Sequence, residues 1–480
     1  NATFGAVGMG DEMFPTFGNG GYDVERYDLA FALDAVDGPI DASATITARA
    51  EHELSRFNLD FHGLEIKTIQ VDASTAMFAR EGDELVITPS HAIAAGATFR
   101  TVVVYGGVPQ AVADPSIPVE KLGWLPSDGE LYVFSEPNGA KTFFPCNDHP
   151  RDKALYTLRI TVPKPLMAVA NGTLVETVDA DTRRTFVWSA RDPMASYLLT
   201  IAIANFETAE LEGPNGLKIV NYFTPSSKAS SRRGFEKTPE IIKFLGDTFG
   251  PYPFEICGGI LSNLEIGGAL ETQTIPVYGA GVGMESVICH ELAHQWFGDS
   301  VTLHSWRDIW WNEGFAEYAA WMYTESTKGK ERFDKMIQAR YAMLRKATLS
   351  PPANPTMREL FGAGTYVRGP LALHALRGAV GDEVFLQLVR SFLVQHKNGN
   401  VTVEDFLAHV EAGSTKAARE VLHAWLYDEE MPHVTAFDAA IAVEDKAREE
   451  RRAAREAEKA AKEAAKAAKD AASGEAKKDG

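Results

Sequence analysis

The sequence predicts a multidomain α+β protein: an N-terminal antiparallel β saddle or sandwich, followed by a mixed α/β domain. Three observations predict it. Near residue 207 the apolar pattern changes from short, strand-sized runs to runs with helical spacing. The chain has 480 residues with 45% hydrophobic content, enough for more than one core. Finally, His290-Glu291-Leu292-Ala293-His294 is followed, after a gap of eighteen residues, by a carboxylate in Asn312-Glu313-Gly314-Phe315-Ala316.

Residues 1–21 end in Gly18-Asn19-Gly20-Gly21 and read as an irregular, glycine-rich lead-in. Residues 22–207 are assigned to the β domain. Residues 22–31 partly alternate, as a half-buried strand does, and further strands are expected at 44–51, 65–71, 98–105, 156–162, 183–188 and 197–206. Turn formers such as Asn171-Gly172 and Asp179-Ala180-Asp181 separate them. Residues 208–433 are assigned to the second domain. A β segment at 216–223 precedes a helical region at 228–249, broken near Pro239 and stopped by Gly250-Pro251. Another β segment carries residues 268–272. Helices are expected at 284–297, 310–323, 331–347, 370–379, 382–396 and 403–411, the last opened by Thr402 with Asp405 three residues on. Residues 434–480 form a charged tail rich in Ala, Lys and Glu. Its pairs Glu444/Arg448 and Glu458/Lys462 have helical spacing, but no apolar seam supports a coiled coil, so the tail is expected as a solvated helix or as disorder.

The formal net charge is −19; residues 444–480 carry eleven basic and ten acidic residues, so the folded body is about −20. Such a surface repels nucleic acid and anionic membrane, and no apolar run reaches membrane-spanning length. Neither nucleic-acid binding nor membrane insertion is expected. The three cysteines, Cys146, Cys257 and Cys289, form no disulfide framework. A chain that begins with Asn1 suggests a processed or trimmed N-terminus. A monomer is favoured.

Residues four apart on a helix share a face, so His290 and His294 can point at one ion from a single rigid element. Glu313, near the start of a second helix, can complete the set. Two imidazoles, one carboxylate and an open position suit catalytic zinc, one per chain. Glu291 is next to a ligand and can serve as the base that activates water. Non-haem iron also uses two histidines and a carboxylate, but needs no base beside the first histidine. Asp308 and Asp299 are candidate acceptors for the ligands' outer N–H groups.

Four segments together resemble the zinc aminopeptidases of the aminopeptidase N and leukotriene hydrolase (gluzincin) family. They are His290 to Gly298 with Glu313; Gly268-Ala269-Leu270-Glu271-Thr272; Ser135 to Asp148; and Tyr366-Val367-Arg368-Gly369. The resemblance implies that His290, His294 and Glu313 bind zinc and that Glu291 is the general base. It implies that Gly268 and Ala269 pair with the substrate backbone and that Glu271 holds the substrate's free α-amine. Glu136 would be the second acidic residue of the amine site, and Tyr366 would donate to the oxyanion. Here Leu270 and Thr272 replace the family's usual Met and Asn, and Lys141 stands in place of an Arg. The order of elements after residue 207 resembles a thermolysin-like catalytic domain. Family members usually continue into a large helical C-terminal domain, so a short form with a more open cleft is expected. Export is expected from the resemblance alone, with a cytoplasmic location as the alternative.

The activity so implied is release of N-terminal amino acids from peptides by Glu-assisted attack of zinc-bound water. The partners are peptides with a free N-terminus. Two alternatives stand beside it: a thermolysin-like endopeptidase, which the two amine-site carboxylates disfavour, and a non-catalytic scaffold, from which loss of ligands or base would be expected.

Overall fold

Alternation in the first strands decides which face of the N-terminal sheet is covered. In the computed structural model, which describes residues 3–475, Tyr22–Leu33 and Ile40–Ala50 bury about every second side chain. They sit centrally in an eight-stranded sheet whose order is Thr173–Asp179, Arg183–Ser189, Leu155–Pro163, Tyr22–Leu33, Ile40–Ala50, Thr98–Gly107, Glu65–Val71 and Ser74–Thr75. Two four-stranded sheets complete this domain. The expected antiparallel arrangement needs two corrections, one of them in the lead-in expected to be irregular, where Thr3–Phe4 forms a strand parallel to Leu54–Asp60. Leu155–Pro163 runs parallel to Tyr22–Leu33, because the chain returns to that edge only after the other strands have been laid down. The expected strand at 197–206 is also shortened, to Ile201–Ala204. Before it, the Asn171 side chain donates to the Leu198 carbonyl (2.9 Å) and accepts from the Thr200 N–H (2.7 Å). Those backbone groups are therefore withdrawn from a ladder, and residues 196–198 form a 3-10 turn instead.

The second domain begins with a five-stranded sheet ordered Glu207–Glu212, Lys218–Phe223, Cys257–Leu261, Val277–Tyr278 and Ala269–Leu270. Around it lie α1 (Ala229–Phe235), α2 (Thr238–Phe249), α3 (Glu285–Ala293), α4 (Trp310–Lys328), α5 (Lys330–Leu344), α6 (Gly369–Val380), α7 (Asp382–Gln395), α8 (Val403–Gly413) and α9 (Lys416–Tyr427). Pro239 sits in the first turn of α2, where its missing N–H costs nothing, so the break falls between α1 and α2. Helix α9 was not expected; Thr415 opens it by accepting from the Ala418 N–H. The tail forms α10 (Thr435–Glu475), anchored to α5 by the Tyr341 hydroxyl on Asp438 (2.8 Å). The ends of the lead-in and tail, residues 1–2 and 476–480, lie outside the described residues. All three cysteines are free and buried, and no described helix is long and apolar enough to cross a membrane.

Two apolar cores result, one in the β sheets and one among the helices. A polar clasp ties the lead-in and the β domain to the segment just before α4. Asp11, in the lead-in, is 2% exposed. It accepts from His149 Nε2 (3.0 Å), Ser305 Oγ (3.0 Å) and the Trp306 N–H (2.9 Å), just before α4. His149 Nδ1 accepts from the Arg151 N–H, so the neutral ring donates to Asp11 through Nε2. Burial opposes the Asp11 charge, but the His149 hydrogen bond and the N–H groups of Trp306 and Phe14 hold its carboxyl well below the usual range. A depressed carboxyl stabilises the fold above its unfolded value of about 3.9, and that contribution is lost as pH falls through the folded value. Asp11→Ala is therefore expected to cost about 2–4 kcal/mol at pH 7, with a smaller difference at pH 3, in urea melts of both proteins. Equal stability at pH 7 would contradict the clasp.

Candidate active site

Helix α3 packs Ile288, Cys289, Leu292 and Ala293 into the second core and carries His290 in its last turn. His294 lies one residue past the helix end but keeps helical dihedrals (φ −56°, ψ −25°), so the shared face survives. Glu313 comes from the first turn of α4, where the helix N-terminus favours a carboxylate. The Nε2 atoms of His290 and His294 are 3.1 Å apart, and they lie 3.1 and 3.3 Å from Glu313 Oε2.

The outer ring nitrogens settle the tautomers. His290 Nδ1 donates to Glu317 (3.0 Å), and His294 Nδ1 donates to the Phe297 carbonyl (2.9 Å). Both Nε2 atoms therefore turn toward each other and toward a carboxylate. Burial opposes a charge on either ring, but the neighbouring carboxylates raise both imidazoles, so the triangle calls for positive charge, whether protons on Nε2 or a metal cation. Donors about 2.0–2.1 Å from a tetrahedral zinc are about 3.3 Å apart, which fits this triangle and its donor set.

Asp308 is not one of these outer acceptors. It lies on a 3-10 turn that faces α8 and accepts from the Val403 N–H at 3.1 Å, at the start of that helix. Asp299 is buried, and both carboxylate oxygens lack a hydrogen-bond partner. The missed residue is Glu317. Its signal was in the chain: it stands four residues after Glu313, on the same face of α4.

Glu291 faces the cavity beside the donor triangle, and burial pushes its carboxyl up to about 7. Glu271 follows Ala269–Leu270, the outermost strand of its sheet, which pairs only with Val277–Tyr278 among the described residues. The unpaired side of that strand can accept another extended chain. Gln295, fully buried and one residue after His294, ties this segment down. It accepts from the Thr274 N–H (2.7 Å) and donates to the Glu271 carbonyl (3.2 Å). Glu136 arrives from the N-terminal domain, on a segment backed by buried Phe143 and Phe144. Lys141 does not reach the site; it pairs with Asp83 at 2.8 Å.

Glu136, Glu271 and Glu313 bring oxygens within 4.8 Å of one another. One buried oxygen of Glu136 and one of Glu271 have no hydrogen-bond partner. Burial first, and then neighbouring carboxylates, raise Glu136 well above the usual carboxylate range; burial likewise raises Glu271. The pair is shaped to receive a cationic donor.

Tyr366 stands on a π-helical turn, Gly364–Arg368, with its ring roughly parallel to that of His290 at 6.0 Å between centroids. Two glycines allow the turn to approach α4. A Cβ on Gly369 would lie 2.4 Å from the Trp310 ring, and one on Gly314 would lie 2.6 Å from the same ring. Arg368 fastens the turn by donating to the carbonyls of Trp425 (2.8 Å) and Asp428 (2.5 Å). A pocket of about 270 Å³ adjoins the carboxylate pair, with Ile117, Val119, Phe134 and Phe361 on its walls. On the other side a cavity of about 950 Å³ runs from Ala269, His290, Glu291 and Tyr366 out to α5.

Residues 23–198 match the Peptidase M1 N-terminal domain, and residues 280–425 match the Peptidase family M1 domain. Over 325 residues the chain is 26% identical to Aminopeptidase M1 of Arabidopsis thaliana, covering 63% of this chain and 37% of that protein. Over 333 residues it is 28% identical to Glutamyl aminopeptidase of Rattus norvegicus, covering 62% and 34%. The chain thus spans only 34–37% of the length of these two curated relatives. The crystal structure of an M1 zinc metallopeptidase from Deinococcus radiodurans superposes with a TM-score of 0.84 at 32% identity, over 89% of this chain and 98% of that one. A mutant of the Deinococcus enzyme was solved bound to a Tyr-Ser-Ala substrate, with the same TM-score of 0.84.

Because Glu317 orients His290 and raises its basicity, Glu317→Ala is expected to weaken zinc binding about 10–100-fold in competition with a chromogenic chelator. Unchanged affinity would contradict that role.

Proposed function

The chain belongs to peptidase family M1, and on that footing we propose that it is a zinc metallo-aminopeptidase, releasing N-terminal amino acids from peptides. The observation that carries this reading is the pair of buried carboxylates with unpartnered oxygens, Glu136 and Glu271, beside the His290–His294–Glu313 triangle. A carboxylate pair facing an ammonium makes strong charge-assisted hydrogen bonds. An internal peptide bond offers no ammonium, so an endopeptidase would leave both groups buried and unpaired. The peptide substrate of the Deinococcus neighbour supports the same substrate class.

Zinc held by His290, His294 and Glu313 would supply Lewis acidity toward the first peptide carbonyl and lower the pKa of a water beside it. Glu271 and Glu136 hold the α-ammonium and so set which carbonyl lies at the metal. The substrate backbone lies along Gly268 and Ala269, adding to the sheet edge. Glu291 takes the proton from the attacking water and returns it to the departing amine. The Tyr366 hydroxyl donates to the negative charge that develops on the carbonyl oxygen. The pocket bounded by Ile117, Val119, Phe134 and Phe361 receives the first side chain, which favours an apolar residue there.

Glu291→Gln should retain one zinc per chain yet lose at least about a thousandfold in kcat on leucine p-nitroanilide. Residual activity near wild type would reject Glu291 as the base. Wild-type protein should cleave a free peptide and spare its N-acetylated form, and chelation should abolish the activity. Equal cleavage of free and acetylated peptides would replace the aminopeptidase reading with an endopeptidase one.

A further inference from the structure

The larger cavity extends well past the groups used above. Its outer wall is built by the end of α4 and by α5, and it carries Lys328, Arg332, Lys335 and Arg340. In a chain of net charge −19, four cations on one wall are a local reversal of sign. Only one carboxylate on that wall opposes them: Glu331, which is already paired with Lys335 at 2.7 Å. Glu317 also lines the cavity, but its oxygens accept from His290 and from Trp321 Nε1 (2.7 Å). Among the described residues, Lys328, Arg332 and Arg340 make no ion pair, although Arg340 is near enough to Glu317 to help hold that carboxyl down.

Distance along α4 sets the scale. Trp321 is eight residues beyond Glu313, or about 12 Å along the helix axis. The Arg340 guanidinium lies 5.8 Å from the centroid of the Trp321 ring. An extended peptide covers about 12 Å in three to four residues. A substrate with its amine on Glu136 and Glu271 therefore brings its fourth or fifth residue to this wall.

We infer that Arg332 and Arg340 bind a carboxylate that the peptide carries downstream of the cleaved bond. This rests on the aminopeptidase reading and adds a length and charge preference to it. The carboxylate is either the C-terminus of a short peptide or an Asp or Glu side chain near the fourth or fifth position.

Three pentapeptides with N-terminal Leu and otherwise Ala separate the sources: one with a free C-terminus, one amidated, and one amidated with Glu at position five. For the wild type, the amidated all-Ala peptide should have a KM about tenfold higher than the free acid, with kcat little changed. If the side chain is accepted as well, the Glu-containing amide recovers the lower KM; if it does not, the wall reads the C-terminus alone. Added salt should shrink the difference. The Arg332→Gln/Arg340→Gln double variant should treat all three peptides alike while keeping leucine p-nitroanilide hydrolysis, which does not reach the wall. Equal KM values for the three peptides in the wild type would overturn the inference. Failure of the wild type to hydrolyse leucine p-nitroanilide and every peptide would overturn the aminopeptidase reading, and this inference with it.

Discussion

Buried negative charge is the constraint around which the second domain is organised. Glu136, Glu271, Glu291, Glu313 and Asp299 are all buried and lie within electrostatic reach of one another. At the 4.8 Å that bounds the Glu136–Glu271–Glu313 group, each like-charged pair costs about 3–4 kcal/mol at an effective dielectric of about 20. Burial adds to that cost and raises Glu136, Glu271 and Asp299. Lys153, half-buried, donates to the Asp299 carbonyl (2.8 Å) and is itself pushed down by desolvation to about 7. What would relieve the site is a metal at the imidazole triangle and an ammonium at the carboxylate pair. On the proposed reading, the substrate's own charge completes the electrostatics of the pocket it enters.

The surrounding packing keeps these charges from drifting apart. Gln295 couples the segment bearing Glu271 to the turn that bears His294. Trp310 receives Gly314 from one side and Gly369 from the other, bringing the Tyr366 turn against α4. The Asn312 side chain reaches the Tyr197 hydroxyl of the β domain (3.1 Å), next to the zinc-ligand candidate Glu313. Asp11 holds the same junction from the lead-in. The β domain thus supplies Glu136 and also fixes the frame in which α3 and α4 meet.

Periodicity made the long elements legible: the strand at Glu65–Val71 and the start of α4 at Trp310 lie where the pattern put them. His290 and His294 could be chosen from spacing because helical geometry alone puts them on one face, whereas Glu313 stands on a second helix and reaches them only because α4 packs against α3. Glu271, Glu136 and Tyr366 could not. They come from an edge strand, another domain and a π turn, and no local rule links them; only resemblance to a family did. Asp308 was misread because proximity in sequence to Glu313 did not show that its turn faces α8. The expected strand at 197–206 was shortened to Ile201–Ala204 because Asn171, which bonds Leu198 and Thr200, also satisfies the carbonyl of Gln273, 102 residues away, and gathers that loop around itself. The Arg332–Arg340 wall lies on an ordinary-looking charged helix, and only the cavity in front of α5 distinguishes it from a solvated face.

On the proposed reading, two buried carboxylates recognise a free amino terminus beside the metal. A crystal structure of the zinc-loaded protein soaked with leucine tests it most directly. The leucine amino nitrogen is expected within hydrogen-bonding distance, about 2.7–3.2 Å, of both Glu136 and Glu271, with its side chain toward Phe134 and Phe361. A leucine whose amine points away from both carboxylates, with the two glutamates still unpartnered, would contradict it.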